Sequence, residues 1–158
     1  MLIEHAYGQR YLLGALEGTP NILERLLTGA TADEIDRRPD PERFTLREIV
    51  AHLADWEPIL QERLLRTRDE NEPTLAAVDP AQLAIEHDYA HCDIREQARL
   101  FSERRAKTVS IISQFNSEQW LRKAIRPNIG ATDMEAIVAM IPMHDMYHIR
   151  QITQWRSS

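Results

Sequence analysis

Apolar residues recur every three or four positions through most of the chain, the period of helices rather than the alternation of strands. The pattern breaks at residues 18–20, 28–32, 37–41, 69–80, 116–117 and 126–131, where Gly, Pro, Asn, Asp, Ser and Thr gather. The first stretch, about residues 2–28, is interrupted at Thr19 and Pro20. Either Thr19 caps a fresh turn with Pro20 in its first position, or one helix bends there. Thr31 and Glu34 have capping-box spacing and predict a short turn of helix. Thr45 and Glu48 repeat that spacing, with Phe44 and Ile49 placed as a hydrophobic staple. Leu46, Ile49, Val50, Leu53, Leu60 and Leu64 then form one stripe, and Pro58 inside it predicts a kink or an early end. A third helix is predicted over 82–115, with Ile94, Ala98, Phe101, Val109, Ile112 and Phe115 on one side. A last one starts at a third box, Thr132 with Glu135, and runs towards Trp155. Four principal helices with one long link at 69–80 describe an all-α four-helix bundle filling a single domain, 1–158.

Composition narrows the function classes. With 5 glycines and 6% aromatics, an aromatic-rich, turn-rich β sandwich is disfavoured. The formal net charge of −6 provides no basic footprint for a phosphate backbone, so no nucleic-acid partner is expected. No apolar run approaches the roughly 20 residues that span a bilayer. The start carries Glu4 and His5 and does not read as a secretory signal, and Cys92 has no second cysteine to pair with. The cytoplasm is the expected location, with no membrane association.

The histidines carry the chemistry. The inward stripe of the last helix reads Ile137, Ile141, His144, His148, Ile152 and Trp155, so two imidazoles share one buried face a turn apart. A buried polar group without a partner costs about 1–3 kcal/mol. A divalent metal satisfies both rings by taking a lone pair from each, and i, i+4 spacing is how helical zinc sites hold an ion. Two separately hydrogen-bonded core histidines are the other reading. His52, beside the stripe of the second helix, is the candidate third ligand, since facing helices of a bundle can converge at mid-core. His87 and His91 form a second i, i+4 pair next to Cys92, in polar surroundings that suit a solvated face. A surface metal site with Cys92 is the competing reading, and His5 is given no role.

Three segments together resemble a known family. Residues 44–53, from Phe44 through Glu48 and His52 to Leu53, are similar to the pattern W-S-x-R-E-I-x-x-H-L; Phe101 to Arg105 resembles a third-helix segment; and His144, Asp145, His148, Gln151 and Ile152 resemble H-D-x-x-H-x-x-Q-I. The chain thereby resembles, over nearly its full length, the DinB-like (damage-inducible) metalloproteins, in the branch that includes bacillithiol-transferase-type proteins. The resemblance implies an up-up-down-down bundle, a homodimer, and a divalent metal (nickel, zinc, iron or manganese) on His52, His144 and His148. Phe44 stands where the family usually has tryptophan, a change in packing. Pro142 is a second departure: it removes a helix hydrogen bond two residues before His144 and is expected to retune how the ligands point.

Three neutral imidazoles leave a divalent ion its charge and open positions, enough to acidify water or hold a thiol as thiolate. Because family members use low-molecular-weight thiols, the resemblance favours thiol S-transfer to a small-molecule substrate. Hydrolysis and metal binding without catalysis are the alternatives. Asp55 and Glu48, about one turn either side of His52, are candidates to accept its second ring N–H; helix capping is the preferred reading of Glu48, and a solvated carboxylate the other reading of Asp55. Gln151, close to one turn past His148, is placed to orient a ligand, and Tyr89 and Tyr147 are possible cavity donors. Asp145 points some 100° from His144, towards a partner helix or solvent. Trp56, Trp120 and Trp155 read as core or interface residues.

Overall fold

The capping signals at Thr31 and Thr45 work as their spacing predicts. In the computed structural model, which describes residues 6–127 and 129–157, each Thr side chain accepts from the N–H three residues on, and each Glu reaches back to the Thr N–H. They open α2 (Ala32–Asp36) and α3 (Leu46–Asp69), which follow α1 (Ala6–Leu27). Residues 2–5 of the predicted first helix, and His5 with them, lie outside the described residues. At Thr45 the box is buried and reinforced by Arg38, 2.6 Å from Glu48. Thr45→Ala is therefore expected to lower stability by about 1–2 kcal/mol, read as a shift of the urea midpoint at unchanged slope.

Neither Pro20 nor Pro58 ends its helix. A proline frees the carbonyl four residues earlier, here those of Leu16 and Ala54. Arg105 donates to the Leu16 carbonyl at 3.3 Å and Arg104 to that of Ala54 at 2.8 Å, so a neighbouring helix replaces each lost bond. The predicted early end at Pro58 does not occur; α3 continues to Asp69.

The single helix predicted over 82–115 is in fact α4 (Pro80–Glu86), a 3-10 turn at Tyr89–His91, and α5 (Ile94–Ser113). Asp88 takes a left-handed conformation with φ 49°, and Asp93 caps α5 by accepting from the N–H groups of Arg95 and Glu96. After α6 (Ser117–Trp120), β1 (Lys123–Arg126) and β2 (Gly130–Asp133) form an antiparallel hairpin leading into α7 (Met134–Ser157). The third expected capping box does not form, because Thr132 is committed to pairing with Ala124. Asp133 caps α7 instead, accepting from Ala136 N–H at 2.8 Å.

The four long helices, α1, α3, α5 and α7, build the bundle, with α1 and α3 each packed against α5 and α7. The all-α bundle is as expected; the running directions differ. Ala54 meets Arg104 and Gln61 meets Thr108, so α3 and α5 are parallel. Thr19 meets Asp145 and Leu26 meets Arg156, so α1 and α7 are parallel. The start of α3 (Leu46, Ile49) packs with the end of α7 (Ile152, Trp155), which sets those helices antiparallel. The order is thus up-down-down-up rather than up-up-down-down. Between parallel α3 and α5 the chain must travel back along the bundle, which the crossover at 70–93 does, with Leu75 tucked into the core.

That core has two apolar halves, one around Leu16, Leu60, Ile112 and Ile141, the other around Leu23, Leu53, Phe101 and Trp155. Buried polar side chains from all four helices occupy the level between them: Thr19, His52, Glu57, Arg105, Asp145 and His148. Among the described residues no helix is long and apolar enough to cross a membrane.

Candidate metal centre

His52 comes from α3, and His144 and His148 from successive turns of α7, at the height where the two apolar halves meet. Each offers a ring nitrogen within 4.8 Å of the other two, and this is the group of at least three His, Cys, Asp or Glu side chains so gathered among the described residues. The Nε2 atoms of His52 and His144 are 3.0 Å apart. Ring centroids lie 4.7–5.1 Å apart, each pair tilted steeply edge to face. Pro142 therefore leaves His144 and His148 on one face, within a helix that runs through it.

Burial keeps these rings uncharged. Desolvation first, then the neighbouring His148 and His144, push His52 down to about 2, and desolvation with His144 next to it pushes His148 down to about 4. His144 is lowered as well, mainly by burial. Neutral imidazoles are the form that ligates a metal.

The donor set fits a cation. Two facing Nε2 atoms can share one proton at most, so three neutral rings cannot satisfy one another, and the buried Nδ1 of His52 has no partner among the described residues. Nitrogens 3.0 Å apart can both lie about 2.1 Å from one ion. His148 Nδ1 is 3.3 Å from Gln151 Oε1; donating there, the ring keeps its Nε2 lone pair for an ion. Gln151 thus touches the histidine one turn before it.

Other expected neighbours are engaged elsewhere. Asp55 does not accept from His52: its carboxylate takes His87 Nδ1 at 2.5 Å and Arg104 at 3.1 Å. Glu48 is occupied by the capping box and Arg38. His87 and His91 are not a helical pair, because the chain turns at Asp88 between them, and His91 bonds Asp88 at 2.7 Å. Cys92 donates to the Tyr89 carbonyl, and burial raises its pKa, away from thiolate character. Tyr89 is buried in packing. Trp56 lies beside the site, its ring 5.0 Å from His52 and stacked 5.8 Å from His144. A cavity of about 520 Å³ opens over the histidines, walled by Phe44, Trp56, Val78, Tyr147 and Gln151, with Arg43 and Glu42 also lining it.

Next to the histidines runs a charged layer that the stripes did not announce. Arg105 is 1% exposed, and all five of its N–H groups find acceptors: Glu57 Oε1 from Nε and Nη2, Asp145 from both terminal nitrogens, and the Leu16 carbonyl. Burial alone would push the guanidinium down; its hydrogen bonds to Asp145 and Glu57 more than reverse this, so it stays charged. Thr19 and Thr108 donate to the remaining carboxylate positions. Asp145 thus faces partner helices, and it locks α7 one residue from His144. A sequence signal existed: Glu57 lies four residues after Leu53 and Arg105 four after Phe101, both at inward positions.

Fold and site together define a helical bundle with a three-histidine cluster, able to hold a divalent cation, at the foot of a pocket. The chain belongs to the DinB superfamily, whose family pattern matches residues 15–152. It is similar in structure to YfiT from Bacillus subtilis, described as a probable metal-dependent hydrolase with an unusual four-helix bundle topology. That likeness has a TM-score of 0.89 at 20% identity and covers 96% of this chain and 87% of that one. A DinB-like protein of Bacillus subtilis, YjoA, is similar at TM-score 0.63 and 14% identity, over 92% of this chain and 89% of that one. No curated protein sequence matches the chain.

Proposed function

We propose that this chain is a metal-dependent thiol S-transferase, with His52, His144 and His148 as ligands of a divalent ion. The observation that carries the reading is the convergence of three uncharged imidazoles beneath an open pocket. An ion held by these three histidines would supply Lewis acidity, the chemistry that favours a thiolate over a thiol. The pocket's own residues favour a thiol over water. Among the described residues lining it, the one carboxylate, Glu42, is exposed, so this lining offers the histidines no buried general base. A thiol, with an ordinary pKa of about 8.5, needs far less help than water to lose its proton. Gln151 orients His148, while Phe44 and Trp56 pack against His52 and keep solvent off its ring. Apolar walls at Val78 and Pro80 suit the body of a small electrophile.

Metal-dependent hydrolysis is the second reading, favoured by the likeness to YfiT. Monochlorobimane separates the two when offered to metal-loaded protein with bacillithiol, mycothiol or glutathione, and without any thiol. Conjugation that requires both a thiol and the metal is the expected result. Loss of ester or amide substrates without thiol, and no conjugation with it, would replace transfer by hydrolysis.

A further inference from the structure

The wall of the metal pocket carries one basic side chain, Arg43, and its state is unusual for this protein. Other arginines near the bundle's core, such as Arg104 and Arg105, are tied to carboxylates and carbonyls. Among the described residues Arg43 has no ion pair and no side-chain hydrogen bond, and its Nε is buried without an acceptor. What fixes it is aromatic: the guanidinium carbon lies 4.6 Å from the centre of the Trp155 ring and 5.9 Å from that of Tyr147. Stacking of that kind holds the plane of the group while leaving its N–H edge free for an acceptor.

Resting on the reading of this pocket as the substrate site, we propose that Arg43 is its specificity residue and that the molecule bound there carries a single carboxylate. A planar fork with unfilled donors matches a carboxylate in two parallel hydrogen bonds. One guanidinium matches one negative charge rather than the nearly two of a phosphate monoester, and the exposed Glu42 on the same lining disfavours any further negative charge. Phe44, Trp56, Val78 and Pro80 supply an apolar wall for the rest of the molecule. The carboxylate belongs either to the thiol or to its electrophilic partner.

Binding of 3-phenylpropionate and of neutral 3-phenylpropan-1-ol to the full chain, followed by calorimetry, tests this without any reaction. The titration is run on metal-free and on zinc-loaded protein. Wild-type protein is expected to prefer the carboxylate at least about tenfold in both forms. Arg43→Gln should erase that preference while leaving alcohol binding unchanged, and Arg43→Lys should keep part of it. Thermal melts of both variants show whether the loss is one of folding. An equal preference in wild type and Arg43→Gln, a preference confined to the zinc-loaded form, or no preference in wild type would each overturn the proposal. Failure of thiol transfer leaves this measurement intact, so the two readings fall separately. With loaded protein, 3-mercaptopropionate against 2-mercaptoethanol locates the group. A rise in KM in Arg43→Gln for the first thiol alone puts the carboxylate on the thiol; a loss of 3-phenylpropionate binding without that rise puts it on the electrophile.

Discussion

Arg105→Met is expected to lower the stability of the folded chain by about 3–5 kcal/mol, a large share of the 5–15 kcal/mol typical of a domain. The side chain would be nearly the same length, so packing changes little. The loss comes from Glu57 and Asp145, which would remain buried with no cation between them. Urea unfolding followed by circular dichroism reads the effect. Replacing all three members with apolar residues is expected to recover most of the stability, because the gain from pairing buried charges is largely offset by their desolvation. If Arg105→Met costs less than about 1 kcal/mol, the two carboxylates are not buried as charged groups.

His148→Ala is expected to reduce bound metal from one ion per chain to background, measured by elemental analysis of protein purified without a histidine tag. His52→Ala should do the same, which distinguishes a site shared between α3 and α7 from one held by α7 alone. His87→Ala should retain full metal, since His87 is paired with Asp55 away from the cluster. The loss has a thermal signature too. Metal at 100 times its dissociation constant stabilises the folded chain by about 2.7 kcal/mol, and that increment should vanish in either ligand variant. Retention of stoichiometric metal by His148→Ala would remove the basis of the proposed chemistry.

The bundle and the histidine trio were legible because both depend on spacing within single helices. His144 and His148 fall on the apolar stripe of α7, and His52 beside that of α3, so helical geometry alone turns them towards one another. What depends on a distant segment was not legible. Asp55 sits one turn from His52, as a partner should, yet the crossover delivers His87 and α5 delivers Arg104, and these occupy its carboxylate. Helix directions depend on that same crossover, whose return path leaves no periodic trace. The hairpin strands are four residues each, too short for alternation to register, although the turn between them showed in the break at 126–131. The charged layer escapes an apolar-stripe pattern for a different reason. Glu57 and Arg105 interrupt the apolar stripes of their helices, and it is their inward positions within those stripes that mark them as buried and therefore paired.

The two prolines that α1 and α3 tolerate carry a consequence for how the molecule comes together. Each of these rods is unfinished by itself, with one peptide oxygen turned loose at Leu16 or Ala54, and among the described residues α5 supplies the missing donor. In a fragment lacking α5, those two oxygens would be left to water. Two rods thus borrow part of their backbone bonding from a third, which acts as a keystone for both.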